Sequence, residues 1–257
     1  MQTIRRRWHS TRTVNELPDK IRALLRETAQ PVAVVTSFMP PPAPDAEFVP
    51  GPRCHGATLS SFTSIALAPH PLVAFSLRVP SRMAKTLSTL ASPSSTLPSS
   101  SPSSSSPFPS FPALTSTDAH MIINILSAAQ ARAALIFSQP DAHPRPFEDH
   151  AMPWHLSREG LPVLAGSIGA LACRVVGAAW PLSDLDALAR GTGDEDEGGA
   201  PPPWVVDGVA SELFIARVVR VEEPKRLELA GDTQDIPLLY HRRDYTTVAG
   251  AGRRKAV

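Results

Sequence analysis

Apolar residues recur along this chain in short runs, separated by clusters of Ser, Pro and Gly. Residues 32–37 (VAVVTS), 65–67 (IAL), 72–77 (LVAFSL), 121–126 (MIINIL), 168–176 (IGALACRVV), 211–221 (SELFIARVVRV) and 238–240 (LLY) read as strands. The run at 211–221 comes closest to strict alternation, the signature of a half-buried strand. Helical spacing shows in three places. Ile21, Leu24 and Leu25 share one face over residues 15–27, with charged residues on the others, and Pro31 closes that stretch. A short helix follows Ser81 and runs through residues 85–90. Another occupies 128–137, rich in strong helix formers, with Ser127 as its N-cap. The break Pro69-His70-Pro71 separates two of the strands, and a Pro-rich loop covers 39–53. Many short strands with two or three short helices predict a β-rich, α+β chain folded as a closed or half-closed barrel rather than a doubly wound sheet.

Composition narrows the function. The chain has 257 residues, 42% of them apolar, enough for a real core. A net charge of +1 gives no electrostatic case for nucleic acid. No apolar run is long enough to span a membrane, since Arg174 interrupts the best candidate. The 28 Pro against 14 Gly point to Pro-rich insertions rather than a Gly-rich nucleotide loop. Cys54 and Cys173 form neither a disulfide framework nor a zinc site; Cys173 lies in an apolar run and reads as a buried thiol, while Cys54 stands beside a turn. Residues 1–14 carry Arg5, Arg6, Arg7 and Arg12 with no acid, the composition of a mitochondrial transit peptide; a basic tail on a cytoplasmic protein is the alternative. One domain is expected over 15–248, with a Ser/Pro-rich insertion at about 91–117, an acidic, Gly/Pro-rich one at 186–203, and a tail at 249–257.

Chemistry concentrates between His55 and Leu90. The stretch Thr58-Leu59-Ser60-Ser61-Phe62-Thr63-Ser64 reads as a hydroxyl-rich turn. Hydroxyls and backbone amides there can hold phosphate oxygens. Ser81-Arg82-Met83-Ala84-Lys85 reads as a helix start, which adds unpaired amides and a partial positive charge to two full cations. An anion site beside an apolar slot follows; a plain hairpin edge with a Ser cap is the competing reading.

Other motifs carry less. The segment 140–155 holds Asp141, His143, Glu148, Asp149, His150 and His155, but their spacing matches no zinc motif, and a polar loop without metal is the expectation. Ser167 follows Gly166, yet residue 165 is Ala, so no nucleophile elbow forms. No GxGxxG and no Walker motif is present.

The blocks at 31–36 (PVAVVT), 55–64 (HGATLSSFTS), 71–75 (PLVAF) and Ser81-Arg82 resemble, in order, those of the flavin reductase-like family of FMN-binding split barrels. That family includes the reductase components of two-component flavin monooxygenases. Later blocks continue the likeness: 122–126 (IINIL), 161–164 (LPVL) with 172–175 (ACRV), 213–218 (LFIARV), and 237–242 (PLLYHR) with Tyr245. The resemblance implies an FMN-binding split β-barrel that passes hydride from NADH or NADPH to flavin, with FAD as an alternative to FMN. It places Thr58, Leu59, Ser60 and Ser61 along the isoalloxazine and ribityl chain. Ser81, Arg82 and Lys85 fall at the phosphate, and Arg242 and Tyr245 near the flavin or nicotinamide. It also implies a homodimer and a flavin-dependent monooxygenase as recipient. No catalytic side chain is assigned, because a flavin supplies the chemistry itself. One departure stands out: where many members carry a His before the strand at 213–218, this chain has Ala210-Ser211-Glu212. A flavin-binding module without turnover, or a degenerate barrel kept for interaction, are the alternatives.

Overall fold

The computed structural model describes residues 16–39, 53–59, 61–91, 119–150, 152–177, 179–183, 210–228 and 231–248. The N-terminal segment, Ser60, nearly all of the Ser/Pro-rich insertion, the acidic insertion and the tail lie outside them.

Helix α1 (Glu16–Arg26) comes first, followed by the two-residue strand β1 (Gln30–Pro31) and then β2 (Ala33–Phe38). The next strands are β3 (Cys54–Leu59), β4 (Phe62–Ala66) and β5 (Leu72–Val79), leading into α2 (Arg82–Ala91). After β6 (Met121–Ile125), one 3₁₀ turn leads into α3 (Ala131–Ser138), and the four-residue α4 (Pro146–Asp149) follows. A hairpin of β7 (Trp154–Leu156) and β8 (Pro162–Leu164) precedes β9 (Gly169–Val175) and β10 (Trp180–Pro181). The long β11 (Ala210–Glu222) precedes a closing hairpin, β12 (Leu238–His241) and β13 (Asp244–Thr247).

The main sheet runs β3-β2-β6-β9-β11-β5-β4, with β10 also paired to β11, and its described pairings are antiparallel. It curls into the half-barrel expected from the strand pattern. β11 makes the curl possible: its first half pairs with β5 and its second with β9, with a register irregularity between Val218 and Arg220.

Two of the three buried clusters follow from the alternation of side chains across β2. In β2, Ala33 and Val35 point into the barrel with Phe75, Leu77, Met83, Leu87 and Phe214. Val34 points the other way and joins Val32, Leu126, Phe137, Phe147 and Leu238. Both faces of β2 are covered, which is why its sequence is nearly continuous in apolar residues. The buried Asn124 locks the strands: its Nδ2 donates to the Val34 carbonyl at 3.1 Å and the Thr36 hydroxyl at 3.1 Å, and its Oδ1 accepts from the Leu164 amide at 2.9 Å.

The hydroxyl-rich turn is shorter than its sequence suggests. Thr58 and Leu59 finish β3, and residues 62–66 form β4. Edge position explains the difference: β4 pairs only with β5 and keeps Thr63, Ser64 and Ile65 exposed, so its polar residues have no core to satisfy.

Candidate functional site

Two open clefts bring the chemistry-bearing residues together, on opposite faces of the β5–β11 pair. Ser76 faces Leu213 and Leu77 faces Glu212 in the register, and successive residues project to opposite sides. Leu213 and Ser76 line one cleft, and Glu212 lines the other.

The cleft lined by Glu212, the phosphate-type cleft, has a volume of about 780 Å³ and sits at the start of α2. Ser81 caps the helix: its hydroxyl accepts the Ala84 amide at 3.1 Å and its carbonyl accepts the Lys85 amide at 3.1 Å. The cap fixes which residues face the cleft. Arg82, Lys85, Ser88 and Thr89 do so, at the three- and four-residue spacing of one helix face. Met83, Ala84, Thr86 and Leu87 turn inward and anchor the helix on the barrel.

Arg82 is held without being neutralised. Its guanidinium donates to the carbonyls of Pro144 (3.2 Å) and Pro140 (3.1 Å), and it makes no ion pair with any described residue. Two carboxylates share the lining: Asp141, next to the Pro140 that holds Arg82, and Glu212, which accepts from the Ser88 hydroxyl of α2 at 3.3 Å. Cations beside carboxylates suit a phosphorylated polyol: phosphate oxygens accept from the cations, and hydroxyls donate to the acids.

Just behind Arg82 lies His55, 3% exposed. Burial, with the nearby Arg82 charge, lowers its pKa to about 4, against a smaller opposing effect of a hydrogen bond with Phe38 backbone. The ring is therefore neutral at physiological pH, and its Nε2 has no hydrogen-bond partner among the described residues.

The other cleft, about 750 Å³, lies between α1, β4, β5 and the β12–β13 turn. Leu25, Phe62, Leu182 and Leu213 give it an apolar floor. Arg22, Arg26, Arg242 and Arg243 surround it. Arg22 pairs with Asp19, and Arg242 with Glu27 at 2.6 Å, whereas Arg26 and Arg243 make no ion pair with any described residue. Ser61 sits on its rim, hydrogen-bonded to the Ser76 hydroxyl at 2.6 Å and accepting the Ser76 amide at 3.0 Å.

The sequence-derived site is thus split. Ser81, Arg82 and Lys85 gather in the phosphate-type cleft, and Ser61 in the arginine-rimmed one. Thr58 and Leu59 line neither: the Thr58 hydroxyl donates to the Ala134 carbonyl at 2.7 Å, and Leu59 is buried in the barrel core. Tyr245 packs half-buried beside the second core and against Tyr240, with ring centroids 5.5 Å apart. Burial chiefly raises its phenol pKa, opposed by a hydrogen bond with the Ser138 hydroxyl. Ser60 lies outside the described residues. Sequence reading missed Glu212 and Asp141 as cleft walls, and Arg22 and Arg26 as cleft cations. The four-residue spacing of Arg22 and Arg26 on α1 was the available signal.

His143 Nδ1 and His150 Nε2 are 2.9 Å apart and hydrogen-bonded, and no group of three metal-ligating side chains comes together among the described residues. Ser167 is buried. Burial raises the thiol pKa of Cys173 to about 12, and burial with Glu148 raises that of Cys54 to about 11, so both stay protonated. No helix among the described residues is long and apolar enough to cross a membrane.

The curled antiparallel half-barrel thus carries a cleft with two cations at a helix start. The model of the flavin reductase like domain matches residues 25–249, and the chain belongs to that family of oxidoreductases. Solved structures share the fold. The nitrilotriacetate monooxygenase component B homolog from Mycobacterium thermoresistibile aligns at TM-score 0.54 and 19% identity, covering 93% of this chain and 91% of its own. The NADH:FAD oxidoreductase SgcE6 of Streptomyces globisporus C-1027, in complex with NAD and FAD fragments, aligns at 0.53 and 19%, covering 92% and 95%. BorF, the flavin reductase component of a bacterial two-component tryptophan halogenase, aligns at 0.51 and 19%, covering 90% and 98%.

Proposed function

We propose that this protein is an NAD(P)H-dependent flavin reductase that uses FMN and hands reduced flavin to a partner monooxygenase. The observation that carries the flavin assignment is the mixed cleft at α2. Arg82 and Lys85 take the phosphate, while Asp141 and Glu212 accept hydrogen bonds from the ribityl hydroxyls. Bound FMN supplies the redox chemistry, accepting hydride from the nicotinamide. The chain's own residues bind and orient. The Ser81 cap fixes the helix start, the prolyl carbonyls aim Arg82, and the buried walls of the barrel keep the cleft rigid. No side chain need move a proton, because hydride passes directly to the flavin.

FMN is preferred to FAD in this reading because two cations, Arg82 and Lys85, stand beside two carboxylates, Asp141 and Glu212, a charge balance that suits one phosphate better than two. A homodimer is supported by α1, whose Leu17 and Leu24 are 62% and 68% exposed in the single chain, with Leu67 of the neighbouring edge at 79%. The name of one similar structure, a monooxygenase component B, supports a monooxygenase as recipient, and that of another, the reductase component of a two-component halogenase, supports hand-over to a separate enzyme. The test is reconstitution. Full-length protein is expected to retain FMN through gel filtration, and Arg82→Ala to release it. Equal retention by both would reject this placement of the phosphate.

A further inference from the structure

The segment that holds Arg82 is itself fastened by two histidines. Residues 139–144 pass beside α2, and two of their carbonyls, Pro140 and Pro144, receive the Arg82 guanidinium. The same segment supplies Pro140 and Asp141 to the cleft wall. Its path is closed by a clasp: the His143 amide donates to the Gln139 carbonyl at 3.0 Å, and the His143 ring meets His150 at 2.9 Å, edge to face with centroids 4.6 Å apart. The far end of the clasp is rigid. His150 directly follows α4, whose Phe147 is buried and packs on Phe137 (5.3 Å) and Trp154 (5.6 Å). Arg145 pairs with Glu148 and Asp149, so neither of those acids is the partner of Arg82.

Arg82 therefore owes its direction to a loop rather than to a counter-charge. Carbonyls orient a guanidinium fork while leaving its charge free for an anion, whereas a carboxylate would compete with that anion. The loop can do this only while it stays in place, and side-chain entropy otherwise favours a mobile arginine.

We propose that His150 is a positioning residue for the phosphate cleft. By clasping His143 it fixes the 139–144 segment, and through its two prolyl carbonyls that segment aims Arg82 at the bound phosphate. This inference rests on the reading that the cleft takes the FMN phosphate.

The test is flavin binding by the full chain, followed by quenching of flavin fluorescence, with FMN and riboflavin as probes. Arg82→Ala is expected to weaken FMN about tenfold or more, the range of a hydrogen bond to a charged group. His150→Ala is expected to weaken FMN several-fold and leave riboflavin, which lacks the phosphate, unchanged. His150→Gln, whose amide can bond His143 as either donor or acceptor, is expected to restore FMN affinity to within about twofold. In an Arg82→Ala background, His150→Ala is expected to add nothing. Normal FMN affinity in His150→Ala, an equal loss for riboflavin, failure of Gln to rescue, or a full additional loss in the double variant would each overturn the proposal. An Arg82→Ala variant that binds FMN normally would reject the site reading beneath it instead.

Discussion

His55 is the residue whose environment most sharply contradicts its chemistry. Its ring is buried and neutral, with a pKa lowered from an ordinary 6.5 to about 4 by burial first and Arg82 second. The unfolded chain binds a proton at this ring below about pH 6.5, while the folded one resists until about pH 4. Stability is thus fully present above 6.5 and is lost as pH falls toward 4, by about 3 kcal/mol in all at 1.36 kcal/mol per pKa unit. Urea melts at pH 7 and pH 5 are expected to show about 2 kcal/mol of this loss in the native chain and a markedly smaller one in His55→Gln. Equal losses in the two would remove His55 from the account. Nothing in the sequence announced this. His55 opens a recognisable block, but its burial depends on β3 packing and on Arg82, which lies far along the chain.

Arg242 and Arg243 make the second residue-scale prediction. They form the two-residue loop between the paired His241 and Asp244, with φ of 52° and 70°. A turn with two positive φ values favours Asn-Gly, and each non-Gly residue there costs on the order of 1 kcal/mol. Arg243→Gly is expected to stabilise the fold by about 1 kcal/mol in a denaturant melt. A loss of stability would mean that the Arg243 side chain contributes more than its backbone costs.

Among the elements, α2 was the most legible. Its Ser81 start and its cations were read from the sequence because capping is a local rule, whereas the helix, expected over 85–90, spans Arg82–Ala91 and buries Met83, Ala84, Thr86 and Leu87. Ser81→Ala is expected to cost about 1 kcal/mol of stability, the usual worth of a cap, and to weaken FMN binding with it. Stability unchanged in that variant would show the cap bond to be idle. The strand order was less legible than the strands. β11 divides its pairing between β5 and β9, a long-range property that a pattern of alternation does not encode. β4 was hidden in part because an edge strand tolerates hydroxyls that read as turn.

Gly56 shows the same limit at the contact between β3 and α3. A Cβ there would lie 2.7 Å from Phe137 Cε1 and 3.1 Å from the Val35 carbonyl oxygen. Its absence lets α3 approach closely enough for the Thr58 hydroxyl to bond Ala134. That bond uses the hydroxyl which the family likeness would place at the flavin. Gly56→Ala is expected to destabilise by about 1–3 kcal/mol through overpacking, and Phe137→Leu to recover part of it in the double variant. Simple additivity of the two losses would argue against the collision.

At the scale of the whole molecule, the barrel does two jobs. Its interior fixes α2 from one side, and its second core fixes the segment that holds Arg82 from the other. The phosphate-type cleft lies where those two supports meet. Family membership and barrel class were legible because ordered blocks survive insertions. The partition of the hydroxyls and arginines between two clefts was not, because it depends on which face of the β5–β11 pair each residue takes. The central claim is that this barrel binds FMN and lets a nicotinamide reduce it. The most direct measurement is the visible absorbance of FMN-reconstituted protein before and after anaerobic addition of NADH, then NADPH. Flavin bands are expected to stay with the protein and to bleach with at least one donor. Protein that holds no flavin after reconstitution, or flavin bands that persist with both donors, would contradict it.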